Sequence, residues 1–120
     1  MFNVEFFEDK NGRSELWDFL EELRTRSDTN KDLRVQYKQI IFCIELLKEN
    51  GTRLPENITK HLDDGIWELR PGNNRVLYFF FRDDTYVLLH HFRKKTQKTP
   101  AREIEKAKRE RTDYISRKES

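Results

Sequence analysis

Glu68, Arg70, Arg75, His90 and Lys94 recur at strand-like spacing in the second half of the sequence, with Phe92 among them. Brought to one face, such a set suits a phosphodiester. Arginine presents forked donors to phosphate oxygens, and lysine adds a compact positive charge. Histidine or glutamate moves protons near neutral pH. An exposed ring such as Phe92 stacks on an unpaired base. Glu68, Arg70 and Arg75 would equally serve as a cross-strand ladder of ion pairs with no chemical duty. Both readings stay open on the pattern alone.

The stretch that follows is the sharpest local feature. Arg93, Lys94, Lys95 and Lys98 place four cations within six residues, and Thr99-Pro100 then opens a helix. Backbone donors at a helix start also favour anions. Arg93, Lys95 and Lys98, with Arg102 in the first helical turn, are the expected phosphate-holding cations; the alternative is a solvated charged loop. Charge is segregated along the chain. Residues 1–92 hold 13 basic and 17 acidic side chains, whereas residues 93–120 hold 11 basic and 5 acidic ones. That asymmetry points to a cationic surface meeting an anion, with nucleic acid first.

Other chemistries find little support. The histidines and acids show no metal-ligand spacing such as H-E-x-x-H, so no metal is expected. Four glycines leave no Gly-rich phosphate loop, no Ser/His/Asp or Cys/His set can be assembled, and no cofactor is expected. His91 reads as a satisfied core histidine and His61 as a surface one. Glu21-Glu22 and Asp63-Asp64 read as solvated charge. The lone Cys43 lies inside an apolar helical pattern and reads as a small buried hydrophobe. It excludes a disulfide framework and fits a reducing cytoplasm. No window approaches 18 consecutive apolar residues, and Met1 to Lys10 lacks the basic-then-apolar order of a signal peptide. No membrane association is expected.

The elements that must position these residues follow from periodicity. Phe2 to Phe6 alternates as a strand, and Ser14 caps a helix from Glu15 to about Arg24. A longer helix runs from about Lys31 to Glu49 and stops at Asn50-Gly51. Ile66–Arg70, Arg75–Arg82 and Thr85–Phe92 read as three strands of a meander, joined by Pro71-Gly72-Asn73-Asn74 and by Asp83-Asp84. Thr99 as N-cap and Pro100 at N1 open a last helix to about Ile115, with few apolar positions for docking. At 120 residues, with 15 aromatics to fill a core, one α+β domain over residues 1–120 is expected, its helices on one face of a mostly antiparallel sheet.

Hairpin register sorts the side chains by face. A two-residue loop at Asp83-Asp84 pairs Phe80 with Val87, Tyr78 with Leu89, Leu77 with His90 and Arg75 with Phe92. One face then carries Trp67, Leu69, Val76, Tyr78, Phe80, Val87, Leu89 and His91 as the floor for the two helices. The other, open face carries Glu68, Arg70, Arg75, His90, Phe92 and Lys94 beside Leu77, Phe79 and Leu88.

Three segments carry a family resemblance: Gly65-Ile66-Trp67-Glu68-Leu69-Arg70, Arg75-Val76-Leu77-Tyr78-Phe79-Phe80, and Leu88 to Pro100 with its Arg93-Lys94-Lys95-Thr96-Gln97-Lys98-Thr99-Pro100 run. From about Thr59 to Ala107 the chain resembles the RelE/HigB toxins of bacterial type II toxin–antitoxin pairs, including phage-derived relatives. The resemblance implies a small α+β toxin that enters the ribosomal A site and cuts translating mRNA, arresting growth. It implies as partner a helix-turn-helix antitoxin of the HigA kind, through which alone the toxin meets operator DNA. It assigns Arg75 and Arg70 to the active site and Lys94 and Lys95 to the basic stretch after the last strand. Some relatives carry a tyrosine shortly after that stretch. Here Pro100-Ala101 stands there and the next tyrosine is Tyr114, so proton transfer falls to His90.

The mechanism these residues predict needs no metal. The RNA 2′-hydroxyl attacks the adjacent phosphorus, Arg70 and Arg75 stabilise the phosphorane, and His90 carries protons with Glu68 or Lys94 in support. The ribosome orients the substrate. A gyrase-inhibiting toxin of the ParE type and a non-catalytic RNA-binding regulator are the alternatives.

Overall fold

Apolar–polar alternation makes the first strand, β1 (Asn3–Phe6), with Val4 and Phe6 turned inward. In the computed structural model, which describes residues 1–119, two helices follow it. Helix α1 (Glu15–Arg26) starts where the Ser14 hydroxyl accepts the Trp17 N–H at 3.1 Å, and it buries Leu16, Leu20 and Leu23. Helix α2 (Lys31–Asn50) is capped by Asn30 and buries Ile40, Cys43, Ile44 and Leu47. It ends at Gly51, whose φ of +60° favours glycine. A Cβ there would also stand 2.8 Å from the Tyr86 hydroxyl.

Strands β2 (Thr59–Asp63), β3 (Ile66–Leu69), β4 (Asn74–Phe80) and β5 (Thr85–Arg93) precede helix α3 (Ala101–Lys118). The sheet order is β1-β5-β4-β3-β2, with β1 parallel to β5 and the other pairs antiparallel. The expected α+β class and element order hold, with one strand added. Strand β2 escaped sequence reading because Thr59 alone of its five residues is buried, so it carries no alternation signal.

The helices occupy both faces rather than one. Helices α1 and α2 pack on Leu69, Val76, Tyr78, Tyr86 and Leu88. On the opposite side Ala107 and Tyr114 of α3 close over Ile66, Leu77, Phe79, Val87 and Leu89. The face expected to be open is therefore covered, and Glu68 (1% exposed), Arg75 (7%) and His90 (0%) are buried.

Two irregularities re-sort the hairpin. At its tip the Phe81 N–H donates to Thr85 O while the Thr85 N–H donates to Arg82 O, so two residues of one strand oppose one of the other. The register there becomes Phe80 with Tyr86, Phe79 with Val87 and Tyr78 with Leu88. A bulge at Leu89 then restores the expected pairs, Leu77 with His90, Val76 with His91 and Arg75 with Phe92. Between the two irregularities the faces of Val87 and Leu88 are exchanged relative to the sequence reading, and Leu89 also moves to the α3 side. The Leu89 bulge matters most for chemistry. It leaves Leu89 and His90 both on the α3 side, and it sends His91 to the α1 side.

Candidate nucleic-acid interface

The end of β3 and the start of β4 bring Glu68, Arg70 and Arg75 together, as register required. Arg70 Nε lies 3.2 Å and Arg75 Nε 3.9 Å from Glu68 Oε2. The Arg70 approach is an ion pair without hydrogen-bond geometry, and that Nε has no other partner. Arg70 Nη1 donates to the Glu56 carbonyl at 3.0 Å. Arg75 Nη1 donates to the carbonyls of Gly72 at 2.9 Å and Asn74 at 2.8 Å, which holds the guanidinium against the 71–74 turn. Its Nη2 has no hydrogen-bond partner among the described residues and is not sealed from solvent. Burial lowers the Arg75 pKa, partly offset by the Glu68 carboxylate, yet arginine stays charged at any physiological pH.

The ion-pair ladder is thus built, and Thr99 joins it. Its hydroxyl donates to Glu68 Oε1 at 2.6 Å rather than capping α3. The N-cap is Pro100, one residue later than expected, and it offers no side-chain cap. The cationic connector leaves β5 alongside the turn, where the Lys94 N–H donates to the Asn73 carbonyl at 2.7 Å. Arg93, Lys95, Lys98 and Arg102 are exposed and Lys94 is half-buried. None of Arg93, Lys94, Lys95 and Lys98 makes an ion pair among the described residues. Arg102 stands 3.9 Å from Glu103. Phe92 is half-buried and packed into the α3-side core, so it is not the free stacking platform expected.

His90 differs most from expectation. It has no exposed surface, and its Nδ1 and Nε2 lie 2.5 Å from Glu110 Oε1 and 3.0 Å from Glu103 Oε1. A bulge in β5 and a helix from the far end of the chain create that enclosure; neither is visible in local sequence. His91 stacks on Phe19 with ring centroids 3.9 Å apart, as a core histidine does, but its Nδ1 is buried without a partner. Burial, with the neighbouring His90, pushes its pKa down to about 4. Tyr114 is also core, edge-on to Phe79 and Phe81, and its hydroxyl donates to Glu5 at 2.5 Å.

Most α3 cations are engaged with the protein itself. Lys106 pairs with Glu15, Lys108 with Asp63, Arg111 with Asp64 and Arg117 with Asp113. Asp63-Asp64, expected as solvated charge, are therefore docking points for α3. The cationic excess of residues 93–120 does not form one continuous free surface; its unpaired part is concentrated in the connector.

A family model described as phage-derived protein Gp49-like matches residues 21–112. The chain belongs to this Gp49-like family. Among solved structures, the Gp49-like chain is similar to a chain of the archaeal RelE–RelB complex from Pyrococcus horikoshii OT3. The TM-score is 0.55 at 13% identity, covering 78% of this chain and 94% of that one. It is also similar to the YoeB dimer from Staphylococcus aureus, at a TM-score of 0.50 and 15% identity over 79% and 97% of the two chains. At these identities the likeness establishes a RelE-like fold, as the sequence resemblance implied. No curated protein matches the sequence. The Gp49-like match begins inside α1 and ends inside α3, so it spans every residue of the arginine cluster and the connector.

Proposed function

We propose that this Gp49-like chain is the toxin of a toxin–antitoxin pair and acts as a ribosome-dependent endoribonuclease on translating mRNA. The observation that carries the reading is the run of unpaired cations, Arg93, Lys94, Lys95 and Lys98, set beside two guanidiniums that are already fixed in place. Arg75 is held by two backbone carbonyls and keeps one amino group free. A phosphate arriving there meets a preorganised donor, which is worth most when charge develops on the phosphorane.

In the cleavage step the 2′-hydroxyl gives its proton to solvent water as its oxygen bonds to phosphorus. The P–O5′ bond breaks, the 5′-oxygen takes a proton from water, and a 2′,3′-cyclic phosphate and a 5′-hydroxyl result. Arg70 and Arg75 stabilise the non-bridging oxygens; Lys94, Lys95, Lys98, Arg93 and Arg102 hold flanking phosphates. Glu68 and His90 are both buried and engaged, so neither offers an open base. That leaves positioning by the ribosomal A site as the main source of acceleration, with no metal in the step. The partner is an antitoxin of the HigA-like helix-turn-helix kind, which alone contacts operator DNA, and the site of action is the cytoplasm. No helix among the described residues is long and apolar enough to cross a membrane.

End-mapping of cellular mRNA after induction without a partner tests this reading. New 5′-hydroxyl ends within translated frames, together with growth arrest, are expected. Arrest without cuts would instead indicate a gyrase-directed toxin of the ParE type, and neither arrest nor cuts a non-catalytic RNA-binding regulator.

A further inference from the structure

Helix α3 is docked by few apolar contacts. Only Ala107 and Tyr114 are buried among its residues. Its surface ion pairs use long, flexible side chains, which hold a helix weakly and tolerate displacement along its axis. One contact is different. His90 is fully enclosed, and Glu103 and Glu110 bracket its two ring nitrogens at 3.0 and 2.5 Å. Those glutamates stand seven residues apart, two turns along one helix face, about 10 Å at the helical rise. A rigid ring with nitrogens on opposite edges fits between them at a single axial position. Sliding α3 by one turn would leave the fully enclosed His90 ring with a nitrogen lacking its half-buried carboxylate partner, the costly outcome for a buried polar group.

The register so fixed is transmitted to the connector. Pro100 has φ −61° and ties α3 to Thr99, whose hydroxyl reaches Glu68 Oε1 at 2.6 Å. Glu68 in turn faces both arginines. We infer that His90 is a positioning residue: its bracket by Glu103 and Glu110 sets α3 so that Thr99 fastens the Arg93–Lys98 cations beside Arg70 and Arg75. This rests on the reading of that surface as the RNA contact. It also gives the histidine a different duty from proton transfer, which its lack of exposed surface does not permit.

Two variants test it, His90→Asn, which is too short to span both carboxylates, and the paired Glu103→Ala/Glu110→Ala, which removes both hydrogen-bond partners of the ring and leaves the histidine and the helix propensity in place. Hydrogen exchange should show amides from Glu103 to Lys108, the first of α3 with backbone acceptors, losing protection at least tenfold in both, while those of β3–β5 and of α1 and α2 keep theirs. Binding to ribosomes should weaken about tenfold, and its salt dependence should flatten, because the connector cations are no longer held in one place. Unchanged exchange across Glu103–Lys108 in the paired glutamate variant overturns the inference, even if His90→Asn fails to fold. So does a hundredfold fall in saturating cleavage rate with affinity and exchange intact, which marks a proton carrier. If the unaltered protein binds no ribosomes, the functional reading falls, and the exchange result still decides whether the bracket sets the helix.

Discussion

Replacing Arg75 by alanine should weaken both the fold and the RNA contact, and the two losses have separate structural sources. Arg75 Nη1 makes two hydrogen bonds to the carbonyls of Gly72 and Asn74, each charge-assisted. Such bonds contribute about 1.5–3 kcal/mol each, less where water can replace the donor, as it can at the exposed Gly72. The ion pair with Glu68 at 3.9 Å corresponds to about 4 kcal/mol of gross attraction at an effective dielectric of ~20, most of it offset by desolvation. Glu68 is not orphaned by the change, because Arg70 and Thr99 remain on it. A net destabilisation of about 2–4 kcal/mol follows, readable by urea unfolding as a lower midpoint at unchanged slope. In the Glu68→Gln background the same substitution should cost about 1 kcal/mol less, since the pair is already broken. The free Nη2 accounts for the functional loss. Cleavage on programmed ribosomes should fall about 10²–10³-fold under conditions where the variant is still folded. Arg75→Lys should recover stability in part and cleavage poorly, because an ammonium cannot fork. A folded Arg75→Ala protein with unaltered stability and full cleavage would refute both the anchoring by the 71–74 turn and the placement of the phosphate.

Lys94→Ala with Lys95→Ala should flatten the salt dependence of ribosome binding by about one to two units of the log–log slope, measured by titration from low to moderate salt. Lys106→Glu and Arg109→Glu should part company. Lys106 pairs with Glu15, so its reversal should lower thermal stability, whereas Arg109 has no ion pair among the described residues and its reversal should act on RNA affinity alone. The half-buried His91, with its Nδ1 sealed from solvent, has a pKa lowered to about 4, so the unfolded chain binds its proton more readily. The stability it contributes is full above about pH 6.5 and is lost as pH falls towards 4, up to ~3 kcal/mol. His91→Phe should remove that part of the acid sensitivity in unfolding curves at pH 4–7. Burial lifts the Cys43 thiol to about 11, so alkylation by iodoacetamide at neutral pH should be slow in the native protein and fast in urea.

Local sequence determined every element but β2, and one half of the site. Helices α1 and α2 follow from a 3.6-residue apolar stripe with Ser14 and Asn30 as caps, signals that need no distant partner. The pairing of Glu68, Arg70 and Arg75 was legible because a four-residue connection fixes which residues of β3 and β4 stand opposite each other. Tertiary structure decided the rest. Two bulges moved Val87, Leu88 and Leu89 across the sheet, and a period-two pattern of uniformly apolar residues carries no information about which side is which. The fate of His90 depended on α3, a helix so polar that its docking is written in Glu103, Glu110, Tyr114 and the partners of its cations rather than in an apolar stripe. Those contacts span up to 109 positions in sequence, as between Tyr114 and Glu5, and a charged residue looks the same in sequence whether it meets water or a buried partner.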